Sequence, residues 1–414
     1  ALPRPRCADR RRDTLPAQPD TVAATHHADA ATRETLPGTV VRREGAPATG
    51  DVAIDEAYDG LGAMSAFLQE AYGRDSIDDA WLPLNATVHF GDDYDNAFWD
   101  GSRMVFGDGD GQVFRRFTVS RSVIGHELAH GITEYTANLV YRGQSGALNE
   151  SVSDVFGALL EQFGAGQSAT EASWLIGEGL FTDEVQGTAL RSMIAPGTAY
   201  DDDVLGSDPQ PGSMADYVDT EDDNGGVHIN SGIPNRAFAV AATALGGGRL
   251  GTRRAGLVRR AHRRGAHRDR GLRGLRRPHR RGRGRPLRLA LRGRGGGPPG
   301  LGDGGSDAAG MSALHCATAA GSIARMDVIV SRSGGFAGLR RVWRVDVEQQ
   351  PDERAWRELL GSLPWDDADG DSPGRPDRFV YEIRVQTHRV RLGESELDGA
   401  WRELVDRVKK AQPR

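Results

Sequence analysis

The sequence predicts an α+β protein: a two-lobed unit, strand-rich first and helical after it, followed by a small separate α+β module. Three observations predict this. Short strand-like runs around 84–90 and 103–106 are separated by Gly/Asp turns such as Gly107-Asp108-Gly109-Asp110-Gly111. Helical spacing of apolar residues then dominates about 120–136, 148–163 and 230–245. Beyond a break at Gly246-Gly247-Gly248, strand-like runs return at Met326–Val330, Val342–Val347 and Phe379–Val385, with a helix near Arg402–Lys409.

Taken in order, residues 1–35 are rich in Pro, Ala, Thr and Arg without periodicity and read as a disordered arm or propeptide remnant. Globular patterning starts at Leu36-Pro37-Gly38-Thr39-Val40-Val41. Ile54, Tyr58, Leu61, Met64, Phe67 and Leu68 then mark one helix within 52–74. The expected divisions are a strand-rich lobe at 36–125, a helical lobe at 126–248, an irregular segment at 249–310 and the small module at 325–410.

At 414 residues and 38% hydrophobic, with no apolar run near 18 residues, the chain predicts no membrane span. The N-terminal residues show no apolar signal core, so a cytoplasmic protein, or one secreted by a non-classical route, is expected. Two distant cysteines, Cys7 and Cys316, predict no disulfide framework.

The net charge of −6 hides a segregation. Residues 249–294 hold 19 Arg against one acid, Asp269; subtracting that +18 from the whole-chain −6 leaves −24 elsewhere. No aromatic residue, Lys, Glu, Asn, Gln or Ile occurs from 249 to about 310, so the segment cannot bury enough apolar surface to offset its ordering entropy. Nucleic-acid binding is disfavoured because no aromatics interleave the arginines. A solvated linker is a second reading. The favoured third is the helical lobe's coding sequence translated in a shifted frame, which would leave that lobe incomplete and strip partners from Ile233, Phe238, Val240 and Leu245.

Within the helical region stands His126-Glu127-Leu128-Ala129-His130. Residues i and i+4 share a helix face, so His126 and His130 can offer two imidazoles to one zinc ion, with Glu127 beside them to polarise water. A hydrolytic zinc site needs a third ligand and an open position for water. Glu150 follows His130 by 20 residues, room for a second helix to return a carboxylate. Asp154, one turn on, is placed to fix a ligand imidazole's tautomer.

With these residues, His126 to Phe163 resembles the thermolysin family of zinc metallopeptidases, and Leu36-Pro37-Gly38-Thr39-Val40-Val41-Arg42 resembles its protealysin-like branch. The resemblance runs from about 36 to 245 and implies a thermolysin-like two-lobed fold and endopeptidase action on proteins or peptides. It also implies a role for Asn149 beside the zinc ligands. Asp223-Asn224-Gly225-Gly226-Val227-His228 matches the segment carrying a catalytic histidine, so His228, oriented by Asp223, and Tyr141 would donate to the oxyanion. Asn96 and Trp99 would contact the substrate backbone from an edge strand, and Arg191 would bind its carbonyl. Phe114, Val123, Ile176, Leu180 and Leu190 would line a pocket for a bulky hydrophobic residue after the scissile bond.

The family's calcium cluster is depleted: Glu161 and Glu178 match it, but Ser122, Ser173, Leu175 and Gly179 replace its other positions, implying one weakly bound Ca2+ or none. Residues 325–405, with Ser333-Gly334-Gly335-Phe336-Ala337-Gly338 and Pro376-Asp377-Arg378-Phe379-Val380-Tyr381, fit any small α+β domain with a glycine turn. Their order of elements resembles emfourin, an inhibitor of protealysin-like peptidases, which implies a module able to occupy the cleft in cis. Two functions follow: a zinc endopeptidase fused to its inhibitor, or an inactive fusion retaining inhibitor binding.

Overall fold

The computed structural model describes residues 36–246, 326–365 and 375–412, and the backbone of 22–27. The segment 249–310, with the readings that compete for it, lies outside the described residues.

Five strands form the first sheet in the order β2-β1-β3-β5-β4. They are β1 (Val22–His27), β2 (Thr39–Arg43), β3 (Leu84–Val88), β4 (Ala97–Trp99) and β5 (Met104–Phe106). β1 falls inside the arm expected to be irregular, so the structure differs there. It pairs antiparallel with β2 and parallel with β3, and this pairing depends on an open sheet edge distant in sequence rather than on local pattern. β4 pairs only with β5, antiparallel, and so forms the sheet edge beside the cleft.

Helix α1 (Val52–Phe67) covers this sheet with Ala57, Leu61, Met64 and Phe67, all fully buried at helical spacing. Asp51 caps it, accepting from the amides of Ala53 and Ile54. The same carboxylate meets His89 Nε2 at 3.1 Å, while His89 Nδ1 lies 2.7 Å from Asp108, so one imidazole ties the end of β3 to the helix start and the glycine-rich turn. The Asp108 hydrogen bond, aided by the charges of Asp108 and Asp51, raises the His89 pKa against the opposing effect of burial. A raised folded-state pKa stabilises fully below the unfolded value of about 6.5 and loses its effect as pH climbs through the folded value. The melting-temperature deficit of His89→Asn relative to the parent is therefore expected to be largest near about pH 6 and to shrink towards about pH 9.

Two buried helices carry the zinc motif. α2 (Arg121–Glu134) is buried from Ser122 to Thr133, and α3 (Gly143–Ala165) crosses it closely. The crossing needs glycine: a Cβ on Gly157 would stand 2.4 Å from the Ser122 carbonyl oxygen, and one on Gly125 would stand 3.0 Å from the Gly157 Cα. This approach is what lets α3 present a carboxylate to α2. Gly157→Val is expected to force the helices apart, at about 1–3 kcal/mol of stability, and to weaken zinc binding; a urea melt and a zinc competition titration check both.

Two short hairpins follow, β6 (Leu175–Ile176) with β7 (Arg191–Ser192) and β8 (Asp201–Asp202) with β9 (Gly206–Ser207). Then come α4 (Asp223–Asn230) and α5 (Gly232–Ala244). On α5, Phe238 and Val240 are exposed, and Leu245 just beyond it is 85% exposed. Of the four residues expected to lack partners in an incomplete lobe, Val240 and Leu245 are left exposed, whereas Phe238 meets the Trp174 ring edge-on at 6.0 Å.

The C-terminal module is an antiparallel sheet in the order β11-β10-β12-β13. Its strands are β10 (Asp327–Gly334), β11 (Arg341–Asp346), β12 (Phe379–Val385) and β13 (His388–Gly393). Helices α6 (Glu353–Ser362) and α7 (Gly399–Ala411) share its core through Trp356, Leu360, Trp401, Leu404 and Val408. β13 and α6 went unread in the sequence because charged residues dilute their apolar positions: β13 buries only Val390 and Leu392, and α6 only Trp356, Leu359 and Leu360. Among the described residues, no helix is long and apolar enough to cross a membrane.

Candidate active site

The i, i+4 geometry of α2 places His126 and His130 on one buried face, their Nε2 atoms 3.1 Å apart. His126 Nδ1 lies 2.7 Å from Asp154 Oδ1, and His130 Nδ1 lies 3.0 Å from Asn149 Oδ1. Carboxylate and amide oxygens only accept, so both Nδ1 atoms carry the proton and both Nε2 lone pairs face the same point. Glu150 completes that point, with Oε2 3.4 Å from His126 Nε2 and Oε1 3.6 Å from His130 Nε2.

A fourth group arrives from the module, where the sequence had expected an open position for water. Asp377 Oδ2 lies 3.2 Å from His126 Nε2 and 2.8 Å from His130 Nε2. His126, His130, Glu150 and Asp377 are all buried, with ligand atoms within 4.8 Å of one another. A tetrahedral zinc with bonds of about 2.0–2.1 Å sets its ligand atoms about 3.3 Å apart, close to the 2.8–3.6 Å of the nitrogen–oxygen pairs above. Buried lone pairs of this kind facing one another are tolerated only around a cation, so the donor set fits zinc.

The electrostatics agree. Burial lowers the His126 pKa, but Asp154, Asp377 and Glu150 more than reverse it, so the cage draws positive charge. Glu127 is fully buried: Oε2 accepts from the Trp99 amide at 3.1 Å, and Oε1 accepts no hydrogen bond. Burial first, then the charge of Asp377, pushes its carboxyl well above the ordinary range.

The loop before His228 turns left-handed at Asp223, Asn224, Gly225 and Gly226, which folds Asp223 back under the histidine. Asp223 accepts from the His228 backbone amide at 2.8 Å and contacts its Nδ1 at 2.6 Å. His228 Nε2 then points to Asp377 Oδ1 at 2.7 Å, and the Tyr141 hydroxyl lies 3.3 Å from the same nitrogen while donating to Glu150 at 2.5 Å.

Asn96 and Arg191 hold the module by its backbone. Asn96 Nδ2 donates to the Asp377 carbonyl at 2.7 Å and its Oδ1 accepts from the Phe336 amide at 2.8 Å. Arg191 Nη1 donates to the Phe336 carbonyl at 2.7 Å, while the same guanidinium grips Asp154 at 2.8 and 3.0 Å. The Phe336 ring joins the apolar cluster containing Phe114, Val123, Ile176, Leu180 and Leu190, and meets His126 edge-on at 4.9 Å. Trp99 gives its indole N–H to Glu134 at 3.2 Å and lines an open cavity of about 490 Å³ beside Arg375 and Pro376.

The structure thus brings His126, Glu127, His130, Glu150, Asp154, Asn149, Tyr141, Asp223, His228, Asn96, Trp99 and Arg191 together, while Phe114, Val123, Ile176, Leu180 and Leu190 share the core cluster that Phe336 joins. Asp377 and Phe336 were missed as site residues. A lone Asp after Pro and a lone Phe after glycines carry no local signal; the only hint was the module's resemblance to an inhibitor. Of the calcium positions, Glu161 accepts from the Ser122 amide at 2.9 Å, and Ser122 Oγ accepts from the Gly177 amide at 3.1 Å.

Comparison with known proteins adds three family matches. Residues 9–134 match the thermolysin metallopeptidase catalytic domain, residues 137–262 its alpha-helical domain, and residues 330–409 Emfourin. The extracellular metalloprotease of Pectobacterium carotovorum subsp. carotovorum is 58% identical over 219 residues, covering 53% of this chain and 63% of its own length. Protease PrtS of Photorhabdus sp. (strain Az29) is 55% identical, covering 53% of this chain and 60% of its own length. A solved structure, the precursor of protealysin, a metalloproteinase from Serratia proteamaculans, is 54% identical with a TM-score of 0.54, covering 59% of this chain and 76% of its own. The chain spans less than two thirds of the length of these curated relatives.

Proposed function

We propose, for a chain that belongs to the thermolysin metallopeptidase family, that residues 36–246 form a zinc-dependent endopeptidase held inactive by its own C-terminal module. One observation carries this reading: Asp377 sits among His126, His130 and Glu150 where a fourth ligand would stand, and touches His228 and Tyr141 as well.

His126, His130 and Glu150 would hold the zinc, and Asp154 and Asn149 would keep both imidazoles in the coordinating tautomer. When bound, zinc supplies Lewis acidity towards a carbonyl and acidifies water. Glu127 takes a proton from the attacking water and passes it to the leaving amine. His228, steadied by Asp223, and Tyr141 donate to the oxyanion as it develops. Asn96 and Arg191 orient the substrate backbone, and the pocket that seats Phe336 selects a bulky hydrophobic residue after the scissile bond.

The module imitates such a substrate in two pieces. Phe336, from the β10–β11 turn, takes the pocket and the backbone donors; Asp377, from the turn before β12, takes the catalytic centre. No peptide bond joins the pieces there, so nothing is presented for cleavage. Insertion needs glycine at 338: φ is +63°, and a Cβ would stand 2.7 Å from the His228 Cβ.

A second reading, an inactive fusion acting mainly as an inhibitor, is favoured by the exposed Phe238, Val240 and Leu245. Zinc binding separates the two. The full chain is expected to take up about one zinc per chain, and its removal by a chelator to lower the melting temperature by several degrees. Failure to bind zinc would favour the inactive fusion. Added calcium is expected to leave the melt of the zinc-loaded chain unchanged, because Ser122 now serves Glu161 and Gly177 through hydrogen bonds.

A further inference from the structure

The module carries an electrostatic conflict that docking relieves in part. Arg332 on β10 and Arg341 on β11 are directly opposed cross-strand partners, a placement that destabilises an isolated sheet. Lys409 lies near them, over the Trp343 and Tyr381 rings, and burial together with the charge of Arg332 lowers its pKa to about 8 against the opposing charges of Asp406 and Glu394. Arg332 and Arg341 thus stand side by side on a largely buried face of the module.

Opposite that face the peptidase sets two carboxylates. Arg341 Nη1 lies 3.4 Å from Asp95 and its Nη2 lies 3.8 Å from Asp110, both side chains 1% exposed; Arg332 lies 3.9 Å from Asp95. Asp95 immediately precedes Asn96, which grips both inserted turns. Asp110 is fixed by the amides of Gln112, Val113 and Phe114, so it presents a rigid charge. Two Arg thus meet two Asp in a site shielded from solvent and salt, where a neutral or acidic partner residue would remove the positive charge that Arg332 and Arg341 bring to the two carboxylates. The outer contact differs: Arg340 meets Asp222 at 3.8 Å with both side chains about half exposed, a geometry worth little.

We propose that Asp95 and Asp110 form an anionic recognition site on the cleft rim that selects which inhibitory module docks, and that the cross-strand pair Arg332–Arg341 is its counterpart. Asp377 and Phe336 address groups that the catalytic chemistry requires and so cannot by themselves distinguish one such peptidase from another. The charged rim supplies that discrimination, because a mismatched module would set neutral or like charge against these buried carboxylates.

The proposal rests on the module being a cleft-covering inhibitor, and the test separates the two ideas. Zinc transfer from the loaded full chain to a chromophoric chelator reports how often the module lifts, independently of hydrolysis. Arg341→Met and Asp95→Asn are each expected to accelerate transfer at least about tenfold. The double variant is expected to exceed the faster single one by less than about threefold, since one interaction is removed once. Arg341→Lys, which keeps the charge, is expected to stay closer to the parent than Arg341→Met, and Arg354→Met on the exposed face of α6 to match it. Thermal melting checks that each variant is folded. Parent-like transfer in Arg341→Met, or single effects that multiply in the double variant, would overturn the recognition site. Asp377→Ala is the reference: acceleration there with none in Arg341→Met sinks the rim site alone, and no acceleration in either sinks the inhibitory reading beneath it.

Discussion

Replacing Asp377 with alanine is expected to raise peptide hydrolysis by the zinc-loaded full chain on the order of a hundredfold. Asp377 is fully buried and its carboxylate meets His126, His130, His228 and Tyr141 at once. Those contacts hold its carboxyl well below the usual carboxylate range: burial opposes ionisation, but His130, His126 and His228 prevail. Removing a buried charge with several partners typically costs a docked surface about 2–5 kcal/mol, one to several decades in the docking constant. Phe336 and its hydrogen bonds remain in this variant, so the module is loosened without losing every hold. The measurement is the initial rate on a peptide with Phe after the scissile bond, with zinc content determined alongside. A zinc-loaded, folded Asp377→Ala chain no more active than the parent would refute cis inhibition.

In that opened background, Glu127→Ala is expected to lower the rate by at least about a thousandfold while zinc stays bound. Glu127 is not among the four grouped donor atoms, so removing it leaves the cage intact. Its Oε1 is buried with no hydrogen-bond partner, an expensive arrangement for a structural carboxylate and the one a proton acceptor needs. Undiminished proteolysis by the zinc-loaded double variant would remove Glu127 from the mechanism. Loss of zinc together with activity would instead make it a structural support.

How much could be read in advance divides along sequence distance. His126, Glu127 and His130 are legible because one helical turn converts spacing into a shared face. Glu150 and Asp154 follow because a second helix repeats that rule. β13 and α6 were illegible because their apolar faces are short and interrupted by charge. β1 was illegible because its partners, β2 and β3, lie elsewhere in the chain.

The sequence alone therefore determined which residues could carry the chemistry: two imidazoles at helical spacing with a carboxylate beside them, a carboxylate 20 residues on, and a histidine after two glycines. What only the tertiary structure decided is which groups complete that chemistry. Asp377 stands 247 residues from His130, and Phe336 stands 145 residues from Arg191. Contacts at such separation leave no periodic trace. They exist because two independently patterned cores bring a proline-turn carboxylate and a glycine-turn phenylalanine to the same zinc-sized gap, where buried opposite charge and a matching apolar pocket hold them.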